Sequence, residues 1–251
     1  MFYLKTDKIG GKPERSRPGG SGPDWPTLFA ELAQKARHPL LQRFYAAGSV
    51  APATPLAEVP LIAMDFETTG IDARRDDIVS IGLVPMSLQR IRLRESRHWI
   101  LKPNAHLREE SVVIHGITHS EIEDAPDLER ILGELLTIMA GKVVVVHHRN
   151  IERNFLDAAL KQRLGEGILF PVIDTLELEA RLHRRRPPGL IARLFGRRPE
   201  SIRLPESRAR YHLPHYHAHH ALTDALACAE LLQAQVAHRF SPQTPIQQLW
   251  W

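Results

Sequence analysis

Pro60-Leu61-Ile62-Ala63-Met64-Asp65-Phe66-Glu67-Thr68-Thr69-Gly70 is an apolar run that ends in two carboxylates and a turn. Side chains alternate across a strand, so Asp65 and Glu67 share one face while Phe66 takes the other. Two carboxylates this close repel each other at neutral pH, and the pair calls for a compensating cation. All-oxygen donors of this kind suit hard divalent ions such as Mg²⁺ or Mn²⁺. An acidic strand end that simply faces water is the plainer alternative, and the pair alone does not decide between the two.

Working outward, Ile78 to Val84 reads as a second strand and residues 96–101 as a third. Ser120, ahead of Glu121 and Glu123, reads as a helix start with acid near its positive end. Leu128, Ile131, Leu132, Leu135, Leu136 and Met139 continue at helical spacing. Val143 to Val146 is a short apolar strand, followed by a helix over about 150–163, a strand at Leu169 to Ile173 and a helix from about Thr175. A last helix is expected from about Leu222 to His238. Three opening strands and then alternating strand and helix imply an α/β fold, a mixed sheet covered by helices.

On the N-terminal side, residues 1–24 are glycine-rich and basic with almost nothing to bury, which reads as a flexible basic tail. Residues 25–59 read as a helical N-terminal extension and a proline-marked linker. The main domain then spans 60–240, with an Arg-rich insertion at 181–203, and 241–251 form a C-terminal tail. In that tail Trp250 and Trp251 either fold back onto the domain or dock onto a partner, and folding back is the expectation.

The 251 residues suffice for one sizeable core plus an appendage. With 43% hydrophobic and 25% charged residues the composition is that of a globular protein. A net charge of +4 and a pI near 9.4 fit a polyanionic partner. Cys228 is the single cysteine, so an internal disulfide and a Cys-based zinc site are excluded, and a small buried helix residue is expected there. No apolar run approaches the ~20 residues of a membrane span, and Lys5, Asp7 and Lys8 interrupt any signal-peptide core. These features predict a soluble, cytoplasmic protein that does not engage a membrane.

Two further segments carry acid beside histidine. In His147-His148-Arg149-Asn150-Ile151-Glu152, a strand's C-terminal end passes into a helix, where open α/β sheets commonly place ligands. Glu152 falls in the first helical turn, where it could also serve only as a favourable charge. Asp157 lies five residues on, about 140° around the axis, and should point elsewhere. The other segment, His219-His220-Ala221-Leu222-Thr223-Asp224-Ala225, opens the last helix. Arg181, Arg184, Arg185, Arg186, Arg193, Arg197, Arg198 and Arg203 face Glu200 as the one acid of residues 181–203. Such a run is either a solvated loop or a clamp for a phosphodiester backbone.

Together the three acidic segments resemble the DEDDh 3′–5′ exonucleases, a ribonuclease H-like group that includes the proofreading epsilon subunit of bacterial DNA polymerase III and RNase T. Asp65-x-Glu67-Thr68-Thr69-Gly70 is similar to the first motif, the helix around Glu152 to the second, and His219-x-Ala221-Leu222-x-Asp224-Ala225 to the third. Ile114-His115-Gly116-Ile117-Thr118 and Ile173-Asp174-Thr175 echo the family more softly, and the likeness spans about 60–238. One departure stands out: the second motif usually has Asp where this chain has Glu152. Glu is also a hard oxygen ligand, one methylene longer, and is expected to substitute.

The resemblance implies a five-stranded ribonuclease H-like sheet and a substrate that is nucleic acid with a free 3′ end. It implies two divalent ions, Mg²⁺ or Mn²⁺, held by Asp65, Glu67, Glu152 and Asp224, with Asp65 bridging them. His219 is the expected general base, and His220 its rival. Thr68, Thr69 and Gly70 are expected to meet the terminal nucleotide through their backbone, with His148, Arg184, Arg185 and Arg186 as further substrate contacts. A replication or repair protein is the expected partner. A catalytically weak module that guards nucleic-acid ends, or an accessory proofreading subunit of a polymerase, are the alternatives.

Overall fold

The computed structural model describes residues 22–105, 112–113, 115–185 and 200–251. Five strands form one sheet in the order β3-β2-β1-β4-β5: β1 Leu61–Thr68, β2 Ile78–Met86, β3 Arg97–Ile100, β4 Val143–Val146 and β5 Val172–Asp174. β2 runs antiparallel to both β1 and β3, while β4 is parallel to β1 and β5 is parallel to β4. This is the mixed sheet flanked by helices that the strand and helix order implied.

The register creates the site's platform. β4 pairs with β1 over Leu61 to Ala63, so β1 runs on past its parallel neighbour. That unpaired flank carries Asp65 and Glu67, with Phe66 buried on the opposite side. Asp65 lies opposite Gly82 on β2, and a bulge between Glu67 and Thr68 ends the regular ladder. Gly82 is required where it stands. A Cβ there would lie 2.3 Å from the backbone of Ala221, so the missing side chain lets the last helix lie directly on β2.

That helix, Ala221–Arg239, packs across β1 and β2. In chain order the helices are α1 Trp25–Lys35, α2 Pro39–Ala46, α3 His119–Glu123, α4 Leu128–Met139, α5 Arg149–Leu164, α6 Thr175–Arg185, α7 Leu204–Arg210 and α8 Ala221–Arg239. The helix start expected at Ser120 lies two residues earlier. Thr118 is the cap and forms a reciprocal capping box with Glu121. The helical run also divides, because Pro126 and the capping side chain of Asp127 restart it at Leu128. β5 is shorter than expected, beginning at Val172 after Pro171, which has no N–H to offer the ladder.

The segments at both ends of the described chain are integrated into one core. Trp25, Phe29, Leu41, Phe44 and Tyr45 of α1 and α2 are buried with the residues of the sheet. The residues read as a linker pair with those read as a tail: Leu56 N–H donates to Thr244, Ile246 N–H to Thr54 and Gln247 N–H to Pro52. Trp250 is buried and bridges Ile173, while Trp251 exchanges both backbone hydrogen bonds with Val172. The tryptophans thus fold back and extend the sheet edge at β5. Cys228 is buried in α8, as its small apolar neighbours implied. Among the described residues no helix is long and apolar enough to cross a membrane.

Candidate active site

Three elements bring the acidic residues to one end of the sheet. β1 supplies Asp65 and Glu67, the first turn of α5 supplies Glu152, and the first turn of α8 supplies Asp224. The four carboxyl groups feel one another. Burial pushes Asp65 well above the usual carboxylate range, and the charges of Glu67, Glu152 and Asp224 push it further. Burial first and then Asp224 raise Glu67 to about 8. Burial raises Glu152 to about 8, with the nearby Asp174 adding to it. Burial raises Asp224 as well, against hydrogen bonds and charges from His219 and His220 that pull it down.

Carboxyl groups gathered so that none ionises easily are poised for a cation. Glu152 is 2% exposed and its Oε2 atom has no hydrogen-bond partner. An orphaned buried carboxylate oxygen is costly, and a metal ion is the partner that would satisfy it. Ligand atoms of Glu67, His219 and Asp224 lie within 4.8 Å of one another. The donor set, carboxylate oxygens with one imidazole at the rim, fits a hard divalent ion.

His219 adopts the left-handed conformation, φ 70°, and its N–H donates to Asp224 Oδ2 at 2.7 Å. That bend turns the residue toward the carboxylates. The rival, His220, is used otherwise: it caps α8, accepting from Thr223 N–H at 3.4 Å, and its ring lies 4.7 Å from that of His98. An open recess of about 620 Å³ adjoins His219, lined by Val113, His115, His217, His219, His220 and Thr223.

The remaining expected site residues have mixed placements. Thr68 donates its hydroxyl to the Gly70 carbonyl, closing the turn after β1. Thr69 is buried, and its hydroxyl accepts from Asp77 N–H at 3.0 Å, which fixes the turn and leaves its side chain no role at the surface. Gly70 is packed so closely that a Cβ would meet the Asp76 carboxylate at 2.4 Å. His148 stands at the N-cap position of α5 in a left-handed conformation with φ 107°, and its N–H donates to Asp174 Oδ1 at 3.1 Å. α6 ends at Arg185, and the side chains of Arg184 and Arg185 together with all of Arg186 lie outside the described residues, as does Ile114. Asp157 binds Lys161 and the Ile168 N–H, away from the acidic group.

Two residues around the site were not expected from the sequence as parts of it. Asp174 is 1% exposed and accepts N–H groups from His148, Arg149, Leu176 and Glu177, as well as the Arg149 guanidinium at 3.1 Å. One side chain therefore caps α5 and α6 together and fixes the turn that carries Glu152. The signal was present as an Asp directly between a strand and a helix. His115 is buried beside His219, and its Nδ1 accepts from Ile117 N–H at 3.0 Å. Burial, then the nearby His219, lower its pKa.

Curated relatives share this region. The "DNA polymerase III PolC-type" of Thermotoga petrophila is 33% identical over 129 residues, 51% of this chain and 9% of the relative. The chain thus matches about a tenth of the length of that relative, and the same holds for other PolC-type proteins. The "DNA polymerase III subunit epsilon" of Treponema pallidum is 29% identical over 180 residues, covering 72% of this chain and 78% of the relative. Among solved structures, the nuclease domain of 3′hExo, described as a DEDDh family member bound to rAMP, superposes with a TM-score of 0.57 at 12% identity, over 72% of this chain and 92% of that one. Exonuclease X in complex with 5′ overhanging duplex DNA gives 0.55 at 22% identity, over 75% and 97%. These structures share the fold, and the family model for RNase_T exonucleases matches residues 62–232, most of the chain. The chain belongs to the RNase_T exonuclease family.

Proposed function

We propose that this chain is a divalent-metal-dependent 3′–5′ exonuclease that hydrolyses DNA or RNA from a free 3′ end to nucleoside 5′-monophosphates. The observation that carries the proposal is the meeting of Asp65, Glu67, Glu152 and Asp224 from three elements, all four held toward the protonated form by burial. These four residues would hold the metal. Bound divalent ions would keep the carboxylates ionised, lower the pKa of the attacking water and stabilise the leaving oxygen.

The chain's own groups do the rest. His219 stands at the rim of the acidic cluster, within 4.8 Å of ligand atoms of Glu67 and Asp224, and takes the proton of the attacking water as general base. The water oxygen bonds to phosphorus, the P–O3′ bond breaks, and the leaving 3′ oxygen takes a proton from solvent, so the shortened strand keeps a 3′ hydroxyl. The Thr68–Gly70 turn would offer its backbone to the terminal nucleotide. His148 and the arginines at 184–186 would contact the phosphodiester backbone, as the positive net charge favours. A place beside a polymerase in replication or repair is a second reading. It is favoured by the Treponema pallidum relative, which carries the name of an epsilon subunit.

Purified protein with 3′-labelled single-stranded DNA or RNA and Mn²⁺ is expected to release mononucleotides, and Asp65→Ala is expected to release none. Tight binding of ends with no release under any divalent metal would refute the exonuclease reading and leave an end-binding module.

A further inference from the structure

His219 reaches the acidic group from a loop with little apolar support. In the stretch from His212 to His220, Leu213 and Tyr216 are half-buried and the other residues are exposed. Beneath it lies a small cavity of about 50 Å³, lined in part by Leu204, Leu213, Tyr216, Ala218 and Asp224. Close packing therefore contributes little to holding this mostly exposed loop. Specific bonds carry most of its positioning.

Those bonds converge on one buried cation. Arg208 of α7 is 3% exposed. Its Nη1 donates to the Ala227 carbonyl of α8 at 2.6 Å. Its Nη2 donates to the Pro214 carbonyl of the loop at 2.9 Å and to Glu230 Oε2 of α8 at 2.8 Å. The guanidinium also stacks 4.6 Å from the centre of the Tyr216 ring, and the Tyr216 hydroxyl donates to Glu230 Oε1 at 3.0 Å. Arg208, Glu230 and Tyr216 thus close a ring of charge-assisted bonds that ties the loop to the helix carrying Asp224.

We propose that Arg208, Glu230 and Tyr216 are positioning residues that set the place of His219 against the carboxylates. None of the three belongs to the acidic group. They act through the loop backbone at Pro214 and Tyr216, three to five residues before His219. The inference rests on the exonuclease reading above, and mononucleotide release by the unaltered protein is the control that separates the two.

Tyr216 is the residue to change, because it sits on an exposed loop and its loss leaves the Arg208–Glu230 pair intact. For Tyr216→Ala we expect kcat to fall roughly 10–100-fold, the scale of a displaced catalytic group. KM is expected within threefold of the unaltered protein, and Mn²⁺ affinity, measured by titration without substrate, within twofold. Added imidazole is expected to restore part of the rate, as for His219→Ala, and Tyr216→Phe is expected to retain most of it because the ring stays under Arg208. An unchanged kcat in Tyr216→Ala overturns the proposal. So does a loss confined to KM, which would make Tyr216 a strand contact, or a loss of kcat that imidazole does not relieve.

Discussion

Glu152→Gln separates the cost of the acidic cluster from its use. Glu152 is buried, and its carboxyl holds a proton in the folded protein up to about pH 8, against 4.5 for an ordinary glutamate. A folded pKa raised in this way favours the native state most below pH 4.5, and the advantage drains away as pH rises toward 8. Between those limits the unfolded chain has released the proton and the folded chain has not. Each pH unit then costs on the order of 1.4 kcal/mol for this group. Between pH ~6 and ~8 the metal-free protein should lose about 2 kcal/mol that the glutamine variant does not lose.

For a chain of this size that is a change of roughly 4–8 °C in the melting-temperature gap between the two proteins. The gap is read by thermal unfolding in EDTA across the pH range, where any fixed packing penalty of the amide cancels. Excess Mn²⁺ should restore the unaltered protein's stability at pH ~8 and should restore much less in the variant, since one ligand is gone. A gap that stays constant over this range would refute the raised carboxyl. Equal stabilisation of both proteins by Mn²⁺ would refute its role as a ligand.

Gly82→Ala tests how α8 reaches the site. The new Cβ would lie 2.3 Å from the Ala221 backbone, so the strand and helix must separate, at a cost of about 1–3 kcal/mol. Denaturant unfolding should show that loss, and the exonuclease rate should fall with it because Asp224 travels with α8. Replacing Arg184, Arg185 and Arg186 with Gln should flatten the salt dependence of single-strand binding. If all three contact phosphates, the log–log slope should decrease by about 2, and an unchanged slope would make the stretch a solvated face.

The placement of the candidate carboxylates was legible because local patterns fixed the elements that carry them. Asp65 and Glu67 follow an apolar strand whose alternation admits one geometry, and α8 begins within a residue of where the sequence places it. Val143 to Val146 is too short and too apolar to be anything but an inner strand here. What escaped the sequence depends on contacts between distant segments. Residues 25–59 read only as a helical extension and a linker, and the burial of Trp25 and Phe29 with the sheet residues could not be read from that. Arg208 lies just beyond the Arg-rich run, yet it is buried because Glu230 and two backbone carbonyls receive it. Asp174 shows the same limit: its place between strand and helix suggests one cap, while its second cap, on α5, needs the fold to bring His148 and Arg149 near.

Glu152 brings the two kinds of information together. The sequence marks it as a departure, since an aspartate is usual at this place in the resemblance, and an extra methylene would misplace a ligand on a helix free to shift. For Glu152 to serve as the proposed ligand its helix must not shift, and several contacts hold that helix start in place. The turn that carries Glu152 is fixed from behind by Asp174, which binds the first N–H groups of α5 and the side chain of Arg149. Arg149 also stacks 4.4 Å from the Trp251 ring, and Arg153 donates to the Phe170 carbonyl at 2.7 Å and to the Trp251 carbonyl. The helix start is thereby held to β5 and to the folded-back C-terminal segment, and the longer side chain projects from a fixed base. Its Oε2 is left without a hydrogen-bond partner on that fixed base, and under the proposed function a divalent ion would supply one.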